Sequence, residues 1–160
     1  MIKQLAAIAI SKSNFKPYGE LVTADPDGKG FDQNDAVLKL QNGIPRFYIM
    51  HLKRRGRTFA QITRHQSCTQ CLGSLNGKDW FIAVCPPSDA AEPDLNLLKA
   101  FHISGDCFIK LEVGTWHAGP YFDHEAINFY NLELSDTNIV DHFTYDFATR
   151  QNIEFEIIDT

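Results

Sequence analysis

The chain lacks the long apolar runs and the concentrated basic charge that would direct it to a membrane or to nucleic acid. None of its 160 residues belong to an apolar stretch of about 18, so no transmembrane helix is predicted. The net charge is −5. The largest basic cluster, 53–57, is interpreted as an exposed hairpin tip, with a phosphate-binding patch as the alternative. We therefore expect neither a membrane nor a nucleic-acid partner.

No export signal is predicted either, because the apolar segment 1–10 is too short for a signal peptide. The chain has four cysteines, which are Cys68, Cys71, Cys85 and Cys107. Without export, reduced thiols and a cytoplasmic location are expected. Cys68 and Cys71 form a Cys-x-x-Cys pair, but a zinc site would need a second pair and a redox motif a βαβ context. A structural role is predicted for both.

Helical periodicity is weak, and no repeat, low-complexity stretch or linker divides the chain. Short β-branched and aromatic runs predict strands at Lys3–Ile10, Arg46–His51, Ile62–Gln66, Trp80–Cys85, Leu98–Ile103, Phe108–Val113, Ala126–Leu134 and Ile153–Ile158. Asn76-Gly77 is the strongest hairpin signal. Short helical segments are expected at Ser13–Glu20, capped by Ser13, and at Asp94–Lys99. The pattern predicts one all-β domain over 1–160, a β-barrel or double-sheet jelly roll.

Two segments about fifty residues apart place an imidazole in strand-like sequence. His65 is followed by Gln70, and the second segment contains Glu112 and His117. Their spacing resembles the two cupin motifs, in which distant strands meet at the mouth of a barrel. These four residues could hold a divalent ion such as Ni²⁺, Mn²⁺ or Zn²⁺. The alternative is a metal-free pocket in which both histidines are hydrogen-bonded.

Further landmarks, in this order and spacing, resemble the ureidoglycolate lyase family. They are Phe15-Lys16-Pro17-Tyr18-Gly19, Arg64-His65 with Thr69-Gln70, Pro93-Asp94-Leu95, Lys99-Ala100-Phe101 and Gly114-Thr115-Trp116-His117. The resemblance extends to about Asn138. It implies a cupin-like barrel, a homodimer, and cleavage of the small molecule ureidoglycolate to glyoxylate and urea in allantoin breakdown.

The resemblance also implies roles for individual residues. C–N cleavage needs one group to take the hydroxyl proton and another to protonate the departing nitrogen. Glu112 and His117 are the acid/base candidates. The substrate-binding candidates are Arg64, His65, Gln70 and Trp116, although Trp116 could instead be a packing residue. Arg64 and His65 are adjacent in a strand, so at most one of them is expected to face inward.

The chain differs from the family pattern at three positions. Glu112 and Ala118 stand where the family has histidines, and Leu134 stands where it has an arginine. The sequence leaves two alternatives to the lyase open. One is a non-catalytic cupin-like module that binds a small molecule, and the other is a metal-dependent cupin enzyme acting on a different small acid.

Overall fold

The computed structural model describes residues 1–160, a little under half of which form short strands. The strands are β1 (Ile2–Ala9), β2 (Gly19–Val22), β3 (Pro45–Lys53), β4 (Thr58–Phe59), β5 (Gln61–Arg64), β6 (Gln70–Ser74), β7 (Trp80–Cys85), β8 (Lys99–Ile103), β9 (Phe108–Leu111), β10 (Trp116–Tyr121), β11 (Ala126–Leu134), β12 (Phe143–Asp146) and β13 (Glu154–Ile158). The helices are α1 (Lys12–Phe15), α2 (Thr137–Val140) and α3 (Phe147–Gln151), with a 3₁₀ turn at Leu95–Leu97. None of these helices has the length and hydropathy to cross a membrane. The predicted all-β class is confirmed.

The strands form two sheets. The larger has the order β12-β5-β10-β7-β8-β1-β13-β4, and the smaller has the order β2-β9-β6-β11-β3. Most neighbours are antiparallel, whereas β1 runs parallel to both β8 and β13. The double-sheet architecture therefore agrees with the prediction of a jelly-roll type of fold.

The larger sheet is buried on both faces at its centre. All six residues of its central strand β7 are inaccessible to solvent, as expected for a strand covered on both sides. Ile82 points into the core between the two sheets, where it joins Phe129 of β11. Ala83 alternates onto the opposite face, where a second core is completed by Phe147 of α3 and Phe155 of β13.

The predicted strands agree closely with the structure. All eight occur, and their ends differ from the observed ones by at most two residues. The prediction omits β2, β4, β6, β10 and β12. Two of these contain residues that weaken a strand signal, namely Gly73 in β6 and Gly119-Pro120 in β10.

The hairpin predicted at Asn76-Gly77 is wrong. Both residues have the left-handed φ values typical of a hairpin turn, 61° and 64°. The turn nevertheless connects β6 of the smaller sheet to β7 of the larger sheet. The β6 strand is hydrogen-bonded to β9 and β11, and the Leu75 N–H after it donates to the Asn128 carbonyl. The two residues therefore reverse the chain as predicted. The strand partners of β6, however, are β9 and β11 and not the strand that follows the turn.

The helix predicted at Ser13–Glu20 is shorter and begins earlier. Ser11 is its N-cap, and a capping box joins Ser11 to Asn14. The helix ends before Gly19, where a Cβ would lie 1.8 Å from the Lys110 carbonyl oxygen, so the close approach of β2 to β9 requires glycine. The segment predicted near Asp94 is confirmed as the 3₁₀ turn.

Candidate functional site

A polar cavity of about 460 Å³ opens at the edge of the larger sheet. It is bordered by β5, β10 and β12 and by the loop between β3 and β4. Its main polar lining residues are Arg55, Gln61, Thr63, His117, His142 and Thr144. No carboxylate lines it. The volume and the few converging polar groups are typical of a site for a small molecule.

The register of three strands brings these side chains to one face. His117 of β10 lies opposite Thr63 of β5, and Thr63 lies opposite Thr144 of β12. Directly opposed residues of antiparallel strands project from the same side of a sheet. The Thr63 and Thr144 hydroxyl oxygens are 3.0 Å apart and form a hydrogen bond. The strand pairing therefore builds a hydroxyl-and-imidazole wall.

Three imidazoles form a row beside this wall. The His65 ring lies between those of His117 and His142, with centroid distances of 5.0 and 5.6 Å. His65 is buried, whereas His142 is exposed and lines the cavity with His117. The predicted convergence of His65 and His117 therefore occurs in the structure, and His142 is a third member.

Hydrogen bonds fix which ring nitrogen carries the proton. His65 Nδ1 is 2.6 Å from the Asp141 carbonyl oxygen, and His117 Nδ1 is 3.2 Å from the Thr115 carbonyl oxygen. A carbonyl oxygen can only accept, so each Nδ1–H donates. Nε2 of each neutral ring is then left with its lone pair, as required of a base.

The surroundings keep these two imidazoles neutral near pH 7. Burial, reinforced by the neighbouring His65, lowers the pKa of His117 to about 3. Burial also lowers the pKa of His65, although its hydrogen bond to Asp141 opposes the effect. A neutral His117 can take a proton from a ligand hydroxyl without first losing one of its own.

Asp141 holds the segment that carries His65. Its carboxylate accepts from the Gln66 and Ser67 N–H groups, both at 2.8 Å, while its carbonyl accepts from His65. Asp141 follows α2 directly and precedes His142, so one residue links the positions of two imidazoles. It is a positioning residue that the sequence analysis missed.

Gln70 lies in a separate polar network between the sheets. Its amide nitrogen donates to Asn131 at 3.0 Å and to Glu133 at 3.2 Å. The Glu133 carboxylate is also hydrogen-bonded to Tyr48 and Asn138. Gln70 does not line the cavity, and its predicted contact with substrate stays a prediction.

Glu112 points toward lysines. Its carboxylate forms ion pairs with Lys110 at 2.8 Å and Lys39 at 3.1 Å, and it accepts from the Val113 N–H. Burial opposes ionisation, but these three contacts lower the pKa of Glu112 to about 2. Glu112 does not line the cavity. We therefore revise the expectation that Glu112 and His117 act together as acid and base.

Arg64 and Trp116 lie on the face of the sheet opposite His117. Trp116 is fully buried in the core that contains Ala118, and the Arg64 guanidinium lies 4.3 Å from its ring centroid. Arg64 also donates to the Ser88 and Ala90 carbonyls at 2.8 Å. Arg64 contacts Trp116 on one face of the sheet and His65 contacts His117 on the other, as expected for adjacent strand residues. Arg64 and Trp116 pack against each other and do not line the cavity, and their contact with substrate stays a prediction.

The predicted metal ligands do not fit a divalent ion. No three His, Cys, Asp or Glu side chains are grouped so as to hold one. Glu112 is neutralised by lysines, and Gln70 belongs to the network around Glu133. Only His65 and His117 of the predicted set are in ring contact. We therefore assign no reaction step to a bound metal.

His117 is the one predicted site residue that lines the cavity, and His142 and Arg55 are among the lining residues that sequence reasoning missed. His142 has no motif spacing to another histidine, and only the pairing of β12 with β5 brings it to His65. Arg55 belongs to the basic run interpreted as a hairpin tip. Only the path of that loop alongside Tyr121 shows that it borders a cavity.

Together, the fold and the cavity define a class of protein: an all-β, double-sheet protein with a polar cavity lined by histidines. Within that class, the family model described as ureidoglycolate lyase matches residues 2–149. The chain belongs to this family, which confirms the resemblance seen in its sequence landmarks.

Individual relatives are distant. The ureidoglycolate lyase of Azotobacter vinelandii is 23% identical to the chain over 120 residues, which cover 68% of the chain and 71% of that protein. A solved structure of oxalate decarboxylase matches with a TM-score of 0.42 and 11% identity. That match covers 81% of this chain, which spans only 28% of the decarboxylase chain.

Proposed function

We propose that the protein cleaves ureidoglycolate to glyoxylate and urea. The observation that carries the proposal is the neutral His117 imidazole, which lines a polar cavity in a chain of this family. Its Nε2 lone pair is available, because Nδ1–H is held by the Thr115 carbonyl. A neutral imidazole with a free Nε2 is the form that can accept the hydroxyl proton in the first proton transfer.

The reaction transfers two protons and breaks one bond. A base removes the proton of the substrate hydroxyl, and the oxygen electron pair forms the carbonyl of glyoxylate. The C–N electron pair moves onto the urea nitrogen, which takes up a proton. No oxidant, reductant or added water is consumed. One proton acceptor and one proton donor in the same cavity are therefore sufficient.

The cavity offers a residue for each role. His117 would accept the hydroxyl proton at Nε2, and His142 would protonate the departing nitrogen. His65, buried between them, would hold both rings in place. The Thr63 and Thr144 hydroxyls would donate to and accept from the ureido group.

A direct test is to incubate the purified protein with ureidoglycolate and measure glyoxylate release. Replacement of the base, His117→Gln, should lower kcat about 100-fold or more, as for loss of a general base. His51→Gln is the matched control, because His51 is exposed and its ring is bonded only to Asn128. Absence of glyoxylate with the unaltered protein, or full activity of His117→Gln, would contradict the proposal.

A second candidate is a module that binds a small molecule without turnover. This function is favoured by the position of Glu112, the predicted acid/base residue, which forms ion pairs with Lys110 and Lys39. The same preparation separates the two functions. A module would bind ureidoglycolate with measurable heat in calorimetry and release no glyoxylate.

We also propose a homodimer working in the cytoplasm, in the breakdown of allantoin. The dimer is supported by the edge strand β3, which exposes the apolar side chains Phe47 and Ile49. The location is supported by the cysteines, all four of which are unpaired thiols. The pathway follows from the proposed substrate.

A further inference from the structure

Three arginines in the loop between β3 and β4 have different environments. The Arg54 side chain donates to the His124 carbonyl at 3.4 Å, and Arg57 forms a two-pronged ion pair with Asp123. Arg55, between them, has no hydrogen bond or ion pair with any protein group. Its guanidinium borders the cavity that contains His117.

The backbone on both sides of Arg55 is fixed. The Arg54 N–H donates to the Glu125 carbonyl, and the Arg57 carbonyl accepts from Ile157, both at 2.9 Å. Gly56, with φ of 70°, forms a bridge to Phe122. Anchors at 54, 56 and 57 leave the side chain at 55 directed to the cavity, where its guanidinium carbon is 5.8 Å from the Tyr121 ring centroid.

The charge of Arg55 is not neutralised within the cavity. No Asp or Glu lines that space, and Arg55 is the one lining residue that carries a permanent charge. An uncommitted guanidinium presents paired N–H donors that match the two oxygens of a carboxylate. In a chain with a net charge of −5, this local positive charge favours a small anion at this place.

We propose that Arg55 binds the carboxylate of a small anionic substrate and orients its hydroxyl toward His117. The assignment deepens the proposed function, on which the choice of a 2-hydroxy-carboxylate rests. It makes Arg55 a specificity-determining residue, since a neutral amide of the same shape would lose the charge-assisted hydrogen bonds.

The test uses glycolate as a non-reacting probe and glycolamide as its neutral counterpart, measured by calorimetry or NMR titration. Arg55→Ala should weaken glycolate binding about 10- to 100-fold, the loss expected for hydrogen bonds to a charged group. Binding of glycolamide should be unchanged. Arg55→Lys should retain part of the affinity, because the charge remains while the fork of donors is lost.

Arg54→Ala is the matched control, since it removes a neighbouring arginine that does not line the cavity. Its glycolate affinity should stay within about twofold of the unaltered protein, as a screened surface charge allows. Equal losses for Arg54→Ala and Arg55→Ala would show a general charge effect and overturn the assignment. Undiminished glycolate binding in Arg55→Ala, or no glycolate binding by the unaltered protein, would overturn it too.

Kinetics distinguish this inference from the proposed function. If ureidoglycolate is not turned over but glycolate binding depends on Arg55, the lyase proposal fails and the carboxylate site stands. If turnover occurs and Arg55→Ala leaves KM unchanged, the lyase stands and the Arg55 assignment fails. When both are right, Arg55→Ala raises KM about 10-fold or more.

Discussion

Lys110 is a charged residue that the smaller sheet buries almost completely, with 1% of its side chain exposed. Burial disfavours its charge, but Glu112 and Glu20 reverse the effect and raise its pKa. The Lys110 Nζ is 2.8 Å from Glu112 and 2.5 Å from Glu20. Glu112 therefore has a structural reason to be acidic, independent of any reaction in the cavity.

Removing the charge of Glu112 should destabilise the protein without removing the His117 base. Because Lys110 keeps Glu20 as a partner, we expect Glu112→Gln to lower the free energy of unfolding by about 1–3 kcal/mol, measured by urea denaturation at pH 7. Glu125→Gln is the control. Its exposed side chain has no ion pair, so its change should stay within about 0.5 kcal/mol.

The same pair of variants tests the pKa. The ordinary pKa of this carboxyl is 4.5, and in the folded protein it is about 2. A lowered carboxyl pKa stabilises the fold fully above the unfolded value, and the contribution is lost as pH falls toward the folded value. The stability difference between the unaltered protein and Glu112→Gln should therefore shrink between pH 5 and pH 3. A constant or growing difference would contradict the ion pair.

At the scale of elements, two turns fix how the sheets are joined. The turn at Asn76-Gly77 packs against the turn at Ser104-Gly105-Asp106 so closely that a Cβ on Gly105 would lie 2.1 Å from the Gly77 carbonyl carbon. Backbone lies on both sides of this contact, and no flexible side chain can move out of the way. Both turns connect one sheet to the other, so this contact fixes the sheets relative to each other at this end.

Gly105→Ala should therefore push the two turns apart. We expect a loss of about 1–3 kcal/mol in the free energy of unfolding, as for other overpacked sites. Gly28→Ala is the control, because a Cβ there meets nothing within 4 Å, and its change should be within about 0.5 kcal/mol. If Gly105→Ala unfolds at the same urea concentration as Gly28→Ala, the turns do not pack as described.

Sequence patterns at this scale predicted strands better than pairings. Runs such as Trp80–Cys85 are recognisable because β-branched and aromatic residues suit a buried strand. Pairing depends on contacts between residues that are distant in sequence, and a local sequence pattern does not reveal them.

The site residues show the same limit. His65 and His117 could be identified from the spacing of their motifs. His142 and Arg55 reach the cavity only through the pairing of β12 and the anchoring of the 54–57 loop.

At the scale of the whole molecule, the outer strand β3 is the surface on which we expect two copies of the chain to associate. It is a nine-residue outer strand that pairs only with β11. Its free edge carries Phe47 and Ile49, which are 66% and 56% exposed. Phe47 stacks on Tyr130, and Tyr130 stacks on Phe108, so the apolar surface continues onto the sheet. A long apolar edge of this kind invites pairing with another strand.

We expect two copies of the chain to cover this edge in the proposed homodimer. Sedimentation equilibrium should then give about twice the monomer mass of 18.1 kDa. Ile49→Lys places a charge on the edge and should shift the equilibrium to the monomer, because charged edge residues oppose strand pairing. Ile139→Lys is the matched control, since Ile139 is 83% exposed on α2, outside both sheets. A monomer for the unaltered protein, or a dimer that survives Ile49→Lys, would show that β3 is not the dimer contact.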